Sequence, residues 1–180
     1  MDYKEPKLIA EIGCNHKGDM EIAKQLLKVA AESGVEVAKF QKRNNKELLT
    51  EEQYSAPHPN PINSYGDTYG THREFLEFDI SQHQELKEYA ENLGLIYSTS
   101  VWDTTSAKET VSINPVLIKV PSACNNHFEM LKVLRDEYHG EVHISFGMTT
   151  KEEEEQIVLF FEENNQSKRL VLYSCTTGYP

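Results

Sequence analysis

The chain alternates short apolar runs with stretches of helical periodicity. Six runs read as strands: Leu8–Gly13 (LIAEIG), Val35–Gln41 (VEVAKFQ), Leu95–Ser100 (LIYSTS), Val116–Pro121 (VLIKVP), Glu141–Phe146 (EVHISF) and Leu170–Ser174 (LVLYS). Four to eight residues rich in Val, Ile, Leu and aromatics suit strands buried on both faces. Between them the apolar positions recur at helical spacing. Ile22, Leu26, Val29 and Ala30 define the first helix, with Asp19 as its N-cap and Gly34 as its stop. The second has the stripe Leu86, Tyr89, Ala90, Leu93 before Gly94, and Ser81 with Gln84 reads as its capping box. Weaker patterns span Thr104–Ser112 and Phe128–Tyr138. A last helix follows Thr149 or Thr150, with Glu152–Glu155 in its first turn, where carboxylates complement the positive helix end.

Strand–helix repetition with short returns implies right-handed βαβ units and a parallel sheet. Two closures satisfy this, an open doubly wound sheet and a (β/α)8 barrel. No G-x-G-x-x-G or Walker-type loop follows a strand, and polar residues gather at the C-terminal end of almost every strand, where a barrel builds its site. The expected fold class is therefore α/β, a TIM (β/α)8-type barrel, in one domain over residues 1–180. About six β/α units are counted against the eight that close a barrel in roughly 250 residues. The barrel is accordingly expected to be incomplete, cut before strands 7 and 8. One connection breaks the rhythm. Residues 42–80 carry Pro57, Pro59, Pro61, Gly66 and Gly70 together with Tyr54, Tyr65, Tyr69 and His72–Arg73. Such a loop is expected to be ordered and to cover the barrel mouth.

Charge and cysteine usage narrow the classes. Eighteen Lys and Arg against 29 Asp and Glu give a formal charge of −11, which disfavours a nucleic-acid surface. No run approaches the roughly 18 apolar residues of a membrane span, and the N-terminus lacks the apolar core of a signal peptide. Cys14, Cys124 and Cys175 are odd in number and widely spaced. That argues against a disulfide framework and for a reducing cytoplasm, with the thiols as small buried groups. A small anionic ligand stays compatible, provided a few basic residues hold it locally.

The candidate chemistry starts from two strand lysines, Lys39 in VAKFQ and Lys119 in LIKVP. A charged group inside an apolar strand is costly unless paired. Three readings are open: an ion pair such as Lys39 with Glu11, two ammonium groups binding phosphate or carboxylate, or a Schiff-base lysine. Around the same mouth come Glu11, Asn15, His16, Gln41, Thr99, Ser122 and Ser145, then Thr176, Thr177 and Tyr179. Hydroxyls and lysines converging from successive strand ends suit a phosphate site without a nucleotide loop, although Ser and Thr also cap strand ends routinely. His58, His72, His83, His127, His139 and His143 show no metal-ligand spacing. His143 reads as packing, and Trp102 as either a mouth residue or a rim cover.

At this point the motifs resemble a known family. EIGCNHKGD (11–19) resembles the E-I-G-x-N-H-x-G opening of the sialic acid synthases. Lys39-Phe40-Gln41 resembles the family's K-x-Q, Ser98-Thr99 its S-T pair, and Lys119-Val120-Pro121-Ser122 with Asn125-Asn126 its K-x-x-S segment. Ser145-Phe146-Gly147-Met148 and Cys175-Thr176-x-x-Tyr179-Pro180 resemble S-T-G-M and C-T-x-x-Y-P. The resemblance implies an N-acetylneuraminate synthase-like enzyme. It would condense phosphoenolpyruvate with an N-acylated hexosamine such as N-acetylmannosamine, releasing phosphate and a nine-carbon 2-keto sugar acid.

It further implies Glu11, Lys39 and Lys119 as catalytic residues. Asn15, His16, Gln41, Thr99, Ser122, Ser145, Thr177 and Tyr179 would be substrate contacts. Phosphoenolpyruvate would lie on Lys39, Thr99, Lys119, Ser122 and Ser145, and the sugar on Glu11 and Tyr179. The family's divalent metal, Mn or Mg, takes ligands from sequence beyond the position of Pro180, so none is expected in this chain. The full-length protein is expected to be a cytoplasmic homodimer, and the 180 residues alone poorly active or inactive. Two positions depart from the family pattern on the sugar side. Ala123-Cys124 stand where an acidic residue is common, and Thr177 where an asparagine is common. A Schiff-base aldolase built on Lys119 and a non-catalytic ligand-binding fragment are the alternatives.

Overall fold

The computed structural model describes residues 5–176. Six strands form one sheet, β1 Ile9–Gly13, β2 Val37–Lys42, β3 Ile96–Val101, β4 Leu117–Val120, β5 Glu141–Phe146 and β6 Leu170–Ser174. Each pairs in parallel with the next, in the order β1-β2-β3-β4-β5-β6. Among the described residues, eight α-helices accompany them: α1 Met20–Glu32, α2 Asn45–Leu48, α3 Glu51–Ser55, α4 Tyr69–Phe75, α5 Ile80–Asn92, α6 Thr104–Ser112, α7 Phe128–Asp136 and α8 Lys151–Glu162. A simple β/α succession with every neighbour parallel is the pattern of a barrel wall, not of a doubly wound sheet, whose order reverses. The α/β barrel-type class read from the sequence therefore holds.

The sheet also curls. A flat six-stranded sheet would separate β1 from β6 by about 24 Å at roughly 4.8 Å per strand. Yet side chains from β1 to β5 and Cys175 just after β6 line one cavity. The opposite face carries the core in two helix-covered clusters. Ala23, Leu27, Leu86 and Ala90 pack on Ala38, Phe40 and Tyr97, while Met130, Leu134, Ile157 and Phe161 pack on Ile118, Val142 and Ile144. Two-residue alternation along each strand thus separates an apolar helix side from a polar concave side.

Helix starts follow their capping chemistry. Asp19 Oδ1 accepts from the backbone N–H groups of Glu21 and Ile22 at 2.7 and 3.1 Å, and Thr150 forms a capping box with Glu153. The box of α5 is Asp79 with Gln82, two residues earlier than the Ser81–Gln84 pair expected from the sequence. Both tetrads satisfy the pattern. The earlier one prevails because Phe78 at the preceding position is buried and meets His83 edge-on, stapling the entry of the helix. Ser81 instead donates its hydroxyl to Asp79 Oδ1 at 2.6 Å.

Residues 43–79 contain α2, α3, α4 and a 3₁₀ turn at Pro61–Asn63. They are pinned to the strand ends by polar contacts. Arg43 Nε donates to Glu77 Oε1 at 2.6 Å, Asn44 N to Asp103 Oδ2 at 2.7 Å, and Thr104 N to Glu47 Oε1 at 3.0 Å. Tyr65 stacks on Phe75 with ring centroids 4.7 Å apart. Gly18 closes the arrangement: its φ is +74°, and a Cβ there would fall 2.3 Å from the Phe75 carbonyl oxygen.

Candidate active site

The concave side of the sheet opens into a cavity of about 520 Å³. Glu11 from β1, Lys39 and Gln41 from β2, Ser100 from β3, Lys119 from β4 and Ser145 from β5 project into it. Trp102, Ser122, Cys175 and Thr176 complete much of the rim. The register explains the convergence: Glu11 lies opposite Lys39, Gln41 opposite Ser100, and Ser100 opposite Lys119. Gly13, at φ +55° where the β1–β2 register slips, leaves room for Gln41, whose Nε2 lies 3.4 Å from where a Cβ would stand.

The two lysines have different surroundings. Lys39, 7 % exposed at its side chain, meets Glu11 Oε2 at 2.5 Å, so the ion-pair reading of this lysine is realised, and Ser100 Oγ lies 3.4 Å away. Lys119 donates to Ser145 Oγ at 2.5 Å and to the Val120 carbonyl at 3.1 Å. Among the described residues it has no carboxylate partner. Burial, reinforced by the Lys39 ammonium, lowers the Lys119 pKa to about 8. One compensated and one uncompensated ammonium, flanked by three serines, give the cavity a local excess of positive charge inside an acidic chain.

Several expected site residues lie elsewhere. Thr99 is fully buried on the helix side, because Ser98-Thr99-Ser100 alternate in direction; the hydroxyl at the cavity is Ser100. Asn15 is exposed and turned back, its Nδ2 donating to the Ile12 carbonyl at 2.9 Å. His16 is buried away from the cavity, stacked on Phe78 at 4.1 Å, and burial holds its pKa down to about 4. Thr177 and Tyr179 fall outside the described residues. Among the described residues, those lining the cavity come from outside 43–79, and Arg43 of the long connection sits over the ring of the lining residue Trp102. Cys14 and Cys124 are only partly buried, and Cys175 is exposed, against the expectation of buried thiols. Arg43 and Glu77, which anchor the rim, carried no sequence signal because they pair across 34 positions.

Among the described residues no group of three or more His, Cys, Asp or Glu side chains is placed to hold a metal ion.

Comparison with known proteins adds the family. The family model described as the NeuB family matches residues 26–180. The human N-acetylneuraminate-9-phosphate synthase is 34 % identical over 96 % of this chain and 47 % of its own length. The N,N'-diacetyllegionaminic acid synthase of Campylobacter jejuni is 27 % identical over 98 % of this chain and 53 % of its own. The chain thus spans about half the length of the curated relatives it matches. The crystal structure of the N-acetylneuraminic acid (sialic acid) synthetase from Leptospira borgpetersenii serovar Hardjo-bovis, in complex with citrate, superposes with a TM-score of 0.79 at 23 % identity. That superposition covers 96 % of this chain and 54 % of that one, and it supports the fold. Matched over most of its length by the family model, the chain belongs to the NeuB family.

Proposed function

We propose that the cavity binds phosphoenolpyruvate and serves its condensation with an N-acylated hexosamine to give a nine-carbon 2-keto sugar acid. The observation that carries this reading is Lys119, a half-buried ammonium with no carboxylate partner among the described residues, hydrogen-bonded to Ser145 in the cavity that Lys39 also enters. A phosphate or carboxylate supplies the missing counter-charge. The relatives' names, sialic-acid and legionaminic-acid synthases, fit the same substrate class.

In the proposed reaction, C3 of phosphoenolpyruvate bonds to the aldehyde carbon of the open-chain sugar. Water adds to C2, and the C2–O bond to phosphate breaks, releasing inorganic phosphate. Lys119, Ser145 and Ser122 hold the anion, and Lys39 adds positive charge beside it. Glu11, 70 % exposed at its side chain, presents a carboxylate to the sugar. The same reading includes a cytoplasmic location, a homodimer for the full-length protein, and Mn²⁺ or Mg²⁺ held by residues other than those described. Isothermal titration with phosphoenolpyruvate tests it. Lys119→Ala should weaken binding by about 30-fold or more, as expected for a lost charge-assisted hydrogen bond. Equal affinity in the two proteins would overturn the assignment.

A Schiff-base role for Lys119 is the second reading, favoured by the lowered proton affinity of its amine. Borohydride trapping of a keto acid on Lys119, read by mass spectrometry, distinguishes it from simple anion binding.

A further inference from the structure

Beneath the lysine seat lies a polar chain that the condensation reading does not use. Tyr173 on β6 stands opposite Ser145 on β5, and His143 stands opposite Lys119 on β4. His143 Nδ1 and the Tyr173 hydroxyl are 2.8 Å apart, and His143 Nε2 and Glu141 Oε2 are 3.0 Å apart. A carboxylate only accepts, so Nε2 carries the proton and Nδ1 accepts from the tyrosine. The chain therefore runs Tyr173 O–H to His143 to Glu141, with the His143 side chain 7 % exposed. Its far end is the tyrosine ring, whose centroid lies 5.4 Å from Lys119 Nζ.

We infer that Tyr173 is a positioning residue for the anion seat, its ring held by the His143–Glu141 chain so that its face carries the Lys119 ammonium in place of a carboxylate counter-ion. A carboxylate at this position would neutralise Lys119 and compete with an incoming anion. An aromatic face stabilises the cation through its quadrupole while leaving the full charge available to a ligand. The hydrogen-bonded anchor matters because a freely rotating ring would spend much of its time edge-on, with the wrong polarity toward the ammonium. The other charged and titratable groups facing Lys119 are Lys39 from β2, Glu11 from β1, Cys124 after β4, His143 from β5 and Cys175 after β6. Lys39 opposes the ammonium, Glu11 is paired with Lys39, and Ser145 and Val120 supply neutral acceptors, so Tyr173 adds the aromatic face to that shell. As a statement about an anion seat the inference rests on the proposed function. As a statement about Lys119 it is tested separately.

Nuclear magnetic resonance of ¹⁵N,¹³C-lysine-labelled protein makes that test. In the unmodified protein, the Lys119 ε-protons should lie upfield of those of the other lysines through the ring current of Tyr173; absence of that displacement overturns the inference without any variant. In Tyr173→Leu, the Lys119 titration midpoint should fall by about one pH unit, whereas Tyr173→Phe, which keeps the ring but loses its anchor, should lower it by clearly less. An unchanged midpoint in Tyr173→Leu, or an equal fall in both variants, overturns the role of the ring. Phosphoenolpyruvate affinity on the same samples separates the two readings. Midpoint shifts without any phosphoenolpyruvate binding would sink the proposed function and leave the Tyr173–Lys119 coupling standing. Binding that is equal in all three proteins would sink the positioning role and leave the function standing.

Discussion

Lys39 and Lys119 stand on either side of β3 and differ in what answers their charge. Lys39 meets a carboxylate oxygen of Glu11 at 2.5 Å. Among the described residues, Lys119 meets neutral oxygens, the Ser145 hydroxyl and the Val120 carbonyl. One lysine is thereby built into the wall, and the other is kept available to a ligand.

The pH response follows from that difference. The Lys119 pKa is lowered from 10.5 to about 8 in the folded protein. Between about pH 8 and 10.5 the unfolded chain binds more protons at this site, so the ligand-free protein gains stability from it as pH rises. Anion affinity moves the other way, because the ammonium is lost above about pH 8. The dissociation constant for phosphoenolpyruvate should weaken by up to about tenfold per pH unit there. Calorimetric titrations at pH 7, 8 and 9 check this, and a constant affinity would contradict it. Lys119→Met should raise the melting temperature at pH 7, since it removes a half-buried charge with no carboxylate partner among the described residues.

Replacing Glu11 by Gln should set stability against binding. The carboxylate is largely exposed but the Lys39 ammonium is not, so its loss should cost about 1–3 kcal/mol in urea denaturation. The cavity would then carry two uncompensated ammonium groups. Affinity for inorganic phosphate should rise several-fold, and an unchanged affinity would show that Lys39 does not face the anion.

Arg43 and Glu77 form the most enclosed ion pair at the rim, with side chains 6 % and 11 % exposed and a 2.6 Å contact. Glu77→Gln leaves a buried guanidinium without its counter-charge and should cost about 3–5 kcal/mol. Arg43→Met combined with Glu77→Leu should cost less than the single change. Denaturant unfolding of the parent and the two variants decides this, and a double variant that costs as much as Glu77→Gln or more would argue against a coupled pair.

The architecture was legible because fully buried strands and capped helices write themselves as runs and punctuation. Glu141–Phe146 and Leu170–Ser174 coincide with β5 and β6 to the residue, and Asp19 caps α1. What escaped was direction and choice among equivalents. In Ser98-Thr99-Ser100 every residue bears a hydroxyl, so no polar–apolar alternation reveals which ones face the cavity. Likewise, Asp79-x-x-Gln82 and Ser81-x-x-Gln84 are both capping boxes on paper. The observed cap predicts that Asp79→Ala costs about 1 kcal/mol, while Ser81→Ala stays within about 0.5 kcal/mol. The reverse order in thermal melts would refute the assignment. The rim pair and the small helices between residues 43 and 79 depend on contacts distant in sequence, which periodicity cannot encode.

Parity is what β3 must preserve. Tyr97, Thr99 and Val101 belong to the helix side, and Ser98 and Ser100 to the concave side. Inserting or deleting one residue between Gly94 and Ser98 would exchange the two sets, since each step along a strand reverses the side chain. Phenol and isopropyl groups would fill the ligand space while hydroxyls entered the oil of the core. Substitutions in this strand can be accommodated one at a time, but a change of length by an odd number of residues would erase the site and the packing together.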